Sequence, residues 1–191
     1  MSNKIFRLLG LLLVGCGIFV FVSKVSADDF QLDGMTDEHI KQILQLAYSV
    51  ESTDLCHTAL AEDISDEAVE EFKQYYIAFK RERVNSYATY FKNNTGWVRR
   101  ADGITLSCHF YPSAMFIGSS NPNAKAANFS NAFRALKNRH GSSPNWKNTA
   151  SMEAQFLCHA FTIGSAKNPW NIEPWRTESD LATVIRKGCN P

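Results

Sequence analysis

The segment GWVRRADGITLSCHFYP, Gly96 to Pro112, carries the clearest strand signal in the chain. Ala101-Asp102-Gly103 supplies turn chemistry, and Asp-Gly between two extended runs is a strong hairpin signal. Ile104, Leu106, Cys108 and Phe110 then alternate with Thr105, Ser107, His109 and Tyr111. A period of two gives a strand with one apolar face, which places Cys108 toward the core and His109 away from it, and Pro112 ends the strand. Trp97 to Arg100, short and mixed, precedes the turn.

Outward from this hairpin, both flanks read as helix. Upstream, Thr36 can cap a helix over Asp37 to Val50, with Ile40, Ile43, Leu44 and Ala47 on one face. Asp37 and Glu38 occupy its first turn, where the helix dipole favours them. Leu55 to Leu60 is ambiguous. Ser65 caps a longer helix, Asp66 to about Lys92, whose apolar positions run from Val69 through Phe72, Tyr76, Phe79, Val84 and Tyr87 to Phe91. Such a helix would span about 40 Å. Its charged run, Lys80 to Arg83, reads as a solvated face.

Downstream, Gly118 to Asn123 is a polar loop. Lys125 to Arg139 is a helix with Phe129, Ala132, Phe133 and Leu136 inward, and His140-Gly141-Ser142-Ser143-Pro144 breaks it. Ser151 caps another helix that carries Ala154, Leu157, Cys158 and Phe161 and closes near Gly164. A last short helix, Ser179 to Lys187, ends at Gly188. Asn93-Asn94-Thr95 and Asn128-Phe129-Ser130 match glycosylation acceptors, a short pattern of low specificity. The class is α+β: a helical N-terminal part packed on a small antiparallel hairpin or sheet with helices. Neither internal repeats nor low-complexity tracts occur.

The N-terminus must be set aside before fold reasoning. Lys4 and Arg7 precede an apolar run from Leu8 to Val22, and Val25-Ser26-Ala27 is a small-residue cleavage pattern. Residues 1–27 therefore read as a secretory signal peptide cut after Ala27. Two rivals stand beside it. Leu13-Val14-Gly15-Cys16 resembles a lipobox, although the apolar GIFVFV that follows is unlike a lipoprotein tether. An uncleaved anchor is the other, since the run approaches the roughly 20 residues that span a bilayer. All three place the globular part outside the cytoplasm, and membrane contact is expected only through this segment.

The whole-chain charge of +1 conceals a split. Residues 28–96 hold 14 acidic and 6 basic side chains, a net of −8, and residues 97–191 hold 5 and 11, a net of +6. The halves should attract each other, screened by salt. An acidic helical region (28–95) and a basic α+β domain (96–191) fit this split. The basic side chains are scattered rather than clustered, so no nucleic-acid partner is expected.

Four cysteines follow the cleavage site: Cys56, Cys108, Cys158 and Cys189. An even number in an exported chain reads as two disulfides. Three of them precede a histidine (His57, His109, His159), which invites zinc. Adjacent side chains diverge on a helix and on a strand alike, and neither C-x-x-C nor H-x-x-x-H spacing occurs, so no metal or other cofactor is expected. Of three connectivities, Cys56–Cys108 with Cys158–Cys189 is favoured.

NPWNIEPWR, Asn168 to Arg176, spends two tryptophans, two prolines, a glutamate and an arginine in nine residues. Pro169 and Pro174 lack donors and push the residues before them toward extended geometry, so the segment is a stiff extended connection between helices. Trp170 and Trp175 can pin it to the core, and Glu173 can pair with Arg176.

These stretches carry a resemblance. GWVRRADGITLS (Gly96–Ser107), WKNTASMEAQFLCHA (Trp146–Ala160), Lys167, WNIEPWR (Trp170–Arg176) and the final CNP (Cys189–Pro191) lie in the order found in a bacterial secreted family known only as domain of unknown function 2599. The chain resembles that family over about half its length. The family pattern has leucine where this chain has Ile172 and proline where it has Thr177. The resemblance implies export and a compact domain, and names no substrate. It also implies that Cys108, at an apolar strand position of the pattern, and Cys56, outside the matching region, are extra cysteines that pair with each other.

Function is read in three classes. First, an exported binding or effector protein, toxin-like in one form, would present Arg99, Arg100, His109, Lys167 and Arg176, with Trp170 and Trp175, to an anionic envelope or cell-surface ligand, the acidic helices masking the basic face until release. Second, a small secreted hydrolase would use His159 and Glu173 as acid–base candidates with Arg176 and Lys167 as anion binders; no G-x-S-x-G or H-E-x-x-H accompanies them. Third is a structural envelope protein without a small ligand.

Overall fold

The structure, a computed structural model, describes residues 32–51, 63–82 and 86–191. The signal-peptide and Cys16 readings, the Leu55–Leu60 segment and Cys56 lie outside these residues.

The hairpin forms as its turn chemistry requires. Strands β1 (Gly96–Arg99) and β2 (Ile104–Cys108) pair antiparallel, Arg99 opposite Ile104 and Gly96 opposite Ser107. The Arg100 N–H donates to the Gly103 carbonyl at 2.8 Å, closing the turn. Gly103 has φ 151°, a conformation that favours glycine. Three-residue strand β3 (Trp170–Ile172) from NPWNIEPWR adds on the far side, giving the order β1-β2-β3, with Leu106 opposite Ile172 and Cys108 opposite Trp170. The segment is extended, as its prolines dictate, but it is a sheet member rather than a bare connection. β2 is therefore central. Thr105 and Ser107, expected on an open face, are buried along with Leu106 and Cys108.

Helix α1 (Asp37–Glu51) starts at the Thr36 cap, whose hydroxyl accepts from the His39 N–H at 3.2 Å. Its expected face, Ile40, Ile43, Leu44 and Ala47, is buried. Helix α2 (Asp66–Glu82) starts at the Ser65 cap and buries Val69, Phe72 and Tyr76. The single helix expected to Lys92 is not observed to that point. α3 (Ser86–Tyr90) ends one residue before Phe91, which bridges to Phe110 antiparallel, and the Lys92 N–H donates to the His109 carbonyl at 2.8 Å. Sheet-type pairing with the end of the hairpin overrides helix propensity here.

After the hairpin come α4 (Pro112–Met115) and α5 (Pro122–His140). α5 begins three residues earlier than its apolar period suggests, because the Asn121 side chain accepts from the N–H groups of Asn123 and Ala124 and Pro122 suits the first turn. Its small residues Ala126, Ala127, Ala132 and Ala135 are buried. Asn128 is fully buried too, with its amide donating to the Met115 carbonyl and its oxygen accepting from the Tyr90 hydroxyl, so the sequon it heads is part of the core. α6 (Thr149–Cys158) starts at Asn148 rather than at Ser151, whose hydroxyl instead accepts from Gln155. It continues as a π-helical turn, His159–Ile163, to Gly164. α7 (Leu181–Arg186) is capped by Asp180 and is shorter than expected.

One hydrophobic cluster runs from Ile40 in α1 through the sheet to Val184 in α7, crossing the 95/96 boundary. The Cys158–Cys189 disulfide, with Cα atoms 5.4 Å apart, ties the end of α6 to the segment after α7. Cys108 is a buried thiol without a disulfide partner among the described residues, and burial pushes its pKa far up. No helix among the described residues is long and apolar enough to cross a membrane.

Candidate functional site

NPWNIEPWR is held from both ends by side-chain amides that imitate a neighbouring strand. The Asn168 oxygen accepts from the Phe110 N–H (3.3 Å), and its amide donates to the Phe110 carbonyl (2.9 Å). Past the other end of β3, the Glu173 N–H donates to the Gln155 oxygen (2.8 Å) and the Gln155 amide donates to the Glu173 carbonyl (3.1 Å). Pairing that β3 is too short to make is thus completed by Asn168 and Gln155. Gln155 is fully buried on α6, and sequence reasoning missed it. Its only signal was membership of the WKNTASMEAQFLCHA stretch.

The residues between divide by direction. Trp170 is buried among Phe110 (ring centroids 4.3 Å), Phe156 (5.4 Å) and Phe116 (6.2 Å), and its indole N–H donates to the Gly164 carbonyl. It is part of the core. Ile172 is buried opposite Leu106. Asn171 faces outward, where its side-chain oxygen accepts from Arg100 (3.0 Å) and its carbonyl accepts from Asn190 (3.2 Å). The Glu173 carboxylate is buried against the Arg176 guanidinium, which also donates to the Pro191 main-chain oxygen. Asn148 donates to the Pro174 carbonyl at 2.9 Å.

Trp175 alone of the four tryptophans is broadly exposed, at 41%. The Arg176 guanidinium lies 4.3 Å from its ring centroid, a cation–π contact. On the hairpin side, a Cβ built on Gly103 would come within 2.7 Å of the indole nitrogen, so the turn lies directly against the ring. Exposed Arg99 and Arg100 belong to that hairpin end. Beyond the ring, Trp175, Arg176, Thr177, Glu178, Lys187 and Pro191 line an open concavity of about 390 Å³. The structure therefore gathers Arg99, Arg100, Trp175 and Arg176, and adds Lys187, an exposed residue that no motif marks.

Lys167 does not line this concavity. His159 is only 4% exposed, with Nδ1 2.8 Å from the Gln155 carbonyl. Burial holds its pKa below the ordinary value, and Lys167 pushes the same way against the Gln155 carbonyl and Glu173. His159 is a core histidine beside Trp170, and Glu173 is engaged by Arg176. Among the described residues no group of three or more His, Cys, Asp or Glu is placed to hold a metal ion.

A small α+β domain with an internally clasped C-terminal motif and a cationic, tryptophan-bearing surface is the class this geometry defines. The chain belongs to the family described as "Protein of unknown function (DUF2599)", which matches residues 92–191. Among curated proteins it is similar to the uncharacterized protein Rv0477 of Mycobacterium tuberculosis, 46% identical over 46 residues, covering 22% of this chain and 31% of that protein. The uncharacterized protein ML2452 of Mycobacterium leprae is 39% identical over 46 residues, covering 22% and 37%. The chain thus spans about a third of the length of the curated relatives it matches. No solved structure matches it significantly.

Proposed function

We propose that the protein is exported and binds an anionic polymer of a cell envelope or surface, using the face formed by Arg99, Arg100, Trp175, Arg176 and Lys187. The observation that carries this is Trp175. A large ring left exposed on a clasped segment, backed by a guanidinium and edged by further cations, serves contact better than packing. The net charge of +6 over residues 97–191 supports the sign of the ligand. The basic, apolar start of the chain and its Val25-Ser26-Ala27 pattern support export. The hydrolase reading draws less support, since His159 sits in the core and Glu173 is committed to Arg176.

The test is a titration of the exported protein with inorganic polyphosphate and with phosphatidylglycerol vesicles, followed by tryptophan emission at two salt concentrations. Binding should weaken with salt. Arg99→Gln and Lys187→Gln, both at exposed positions, should each weaken it about two- to fivefold while leaving melting unchanged. Salt-independent binding, or no binding to either probe, would refute the proposal.

A further inference from the structure

A separate cleft of about 230 Å³ lies between the turn preceding α1 and the facing sides of α2, α5 and α6. Five elements contribute to it: Asp33 from the turn, His39 from α1, Tyr76 from α2, Ser130, Arg134 and Lys137 from α5, and Thr149 and Glu153 from α6. The α5 residues stand at steps of four and three and so share one helix face.

Most polar groups in the lining are committed to each other. The Asp33 carboxylate accepts from the Tyr76 hydroxyl (2.8 Å) and from Lys80 (3.0 Å), with Arg134 Nε 3.6 Å away. Arg134 gives Nε and Nη2 to the Asn131 oxygen. Glu153 faces His39 at 3.4 Å. Thr149 accepts from the Trp146 indole.

Two groups remain. The Ser130 hydroxyl, on a residue 2% exposed, has no hydrogen-bond partner. Lys137 is at an exposed position, and its ammonium makes no ion pair with a carboxylate among the described residues. A buried hydroxyl without a partner is unfavourable, so its place on a cleft wall points to an occupant that accepts from it. The Ser130 hydroxyl and the Lys137 ammonium can both donate. The two carboxylates of the lining are already matched by Lys80, Arg134 and His39, which leaves Lys137 in surplus.

We propose that this cleft binds a small anion bearing a carboxylate or phosphate, held by the Ser130 hydroxyl and the Lys137 ammonium. The site straddles the seam between the N-terminal helices and the family domain. Both donors lie on α5, and the turn preceding α1 lines the facing wall of the cleft. This is distinct from the Trp175 face: none of its lining residues is shared.

The experiment is an NMR titration of the exported protein with inorganic phosphate and, separately, with glutarate. Amide resonances of Ser130, Lys137 and Thr149 should shift when anion is present. A response to one probe and not the other assigns the class of anion. Lys137→Met should weaken binding about tenfold, the scale of one charge-assisted hydrogen bond. Ser130→Ala should weaken it while the melting temperature holds or rises, because an unsatisfied hydroxyl has been removed. Arg99→Gln with Lys187→Gln should leave it unchanged. The proposal is overturned if neither anion shifts these resonances, if the shifts centre on Trp175, if Lys137→Met leaves affinity intact, or if Ser130→Ala lowers the melting temperature.

Discussion

Replacing Gln155 by methionine tests the clasp where the structure is most explicit. Gln155 is fully buried, and its amide makes both hydrogen bonds of a strand pair with the main chain of Glu173, at 2.8 and 3.1 Å. Methionine nearly matches glutamine in volume and flexibility, so cavity formation contributes little. What is lost is the partner of one buried N–H and one buried carbonyl. Each stranded group costs about 1–3 kcal/mol, giving a total of about 2–6 kcal/mol. For a chain of this size that corresponds to a fall in melting temperature of about 5–20 °C. Urea unfolding at equilibrium, followed by tryptophan emission, measures the change. The midpoint should drop with the slope unaltered, because the surface exposed on unfolding is the same. Polyphosphate affinity should fall as well, since Trp175 and Arg176 lie two and three residues beyond Glu173. A loss below about 1 kcal/mol would refute the reasoning, because a neutral–neutral exposed bond costs no more than that. It would mean that the Glu173 main chain finds water when Gln155 is gone.

Other perturbations read other parts of the fold. Gly103→Ala should destabilise by about 1–3 kcal/mol and shift Trp175 emission, since the new Cβ meets the indole at 2.7 Å at a φ of 151°; unchanged emission would place the ring elsewhere. Cys158→Ala with Cys189→Ala opens a loop of 31 residues and should remove about 3–4 kcal/mol of stability, read as a lower urea midpoint. Acidity divides the histidines. Glu153 raises the pKa of His39, so its contribution is complete below its ordinary value of about 6.5 and fades as pH rises through the raised folded value. Burial lowers His159 and His140, so their contributions are present above about 6.5 and fade as pH falls toward the lowered values. The melting difference between wild type and His39→Gln should therefore shrink as pH rises; a difference that grows would reverse the sign of the His39–Glu153 interaction.

How far the sequence speaks depends on how local the determining contacts are. Thr36 and Ser65 bond within their own first turns, so both caps and the apolar faces behind them were legible. The hairpin was legible because Asp102-Gly103 and a period of two sit side by side. β3 was not, because a three-residue strand within the four positions between two prolines has no measurable period and pairs with partners more than 60 positions away. Asn168 and Gln155 were silent for the same reason: their amides act as backbone toward residues 58 and 18 positions distant. The early start of α5 hid in a polar run that reads as loop until Asn121 is seen folding back on its own N–H groups. The cleft at the seam was illegible in principle. Ser130 and Lys137 look like ordinary positions on a helix, and only the approach of α1 and α6 makes one of them a buried donor without a partner.

Whether NPWNIEPWR is a clasp or a site has two answers, divided along the segment itself. Trp170, Ile172 and the Glu173 carboxylate point inward and have their partners within the protein. Asn171 and Trp175 point outward, and Trp175 keeps an exposed ring although the chain on either side of it is fixed by Gln155, Asn148 and Arg176. A segment needed only for architecture would gain by burying that ring, at about 25 cal/mol for each Å² of apolar surface removed from water. Rigid anchoring on both sides of an exposed aromatic is instead what preorganised binding requires, because the side chain is already ordered when a partner arrives. The inward residues therefore serve the outward ones, and substitutions at Gln155 or Gly103 should lower affinity for a polyanion without any of those side chains touching it.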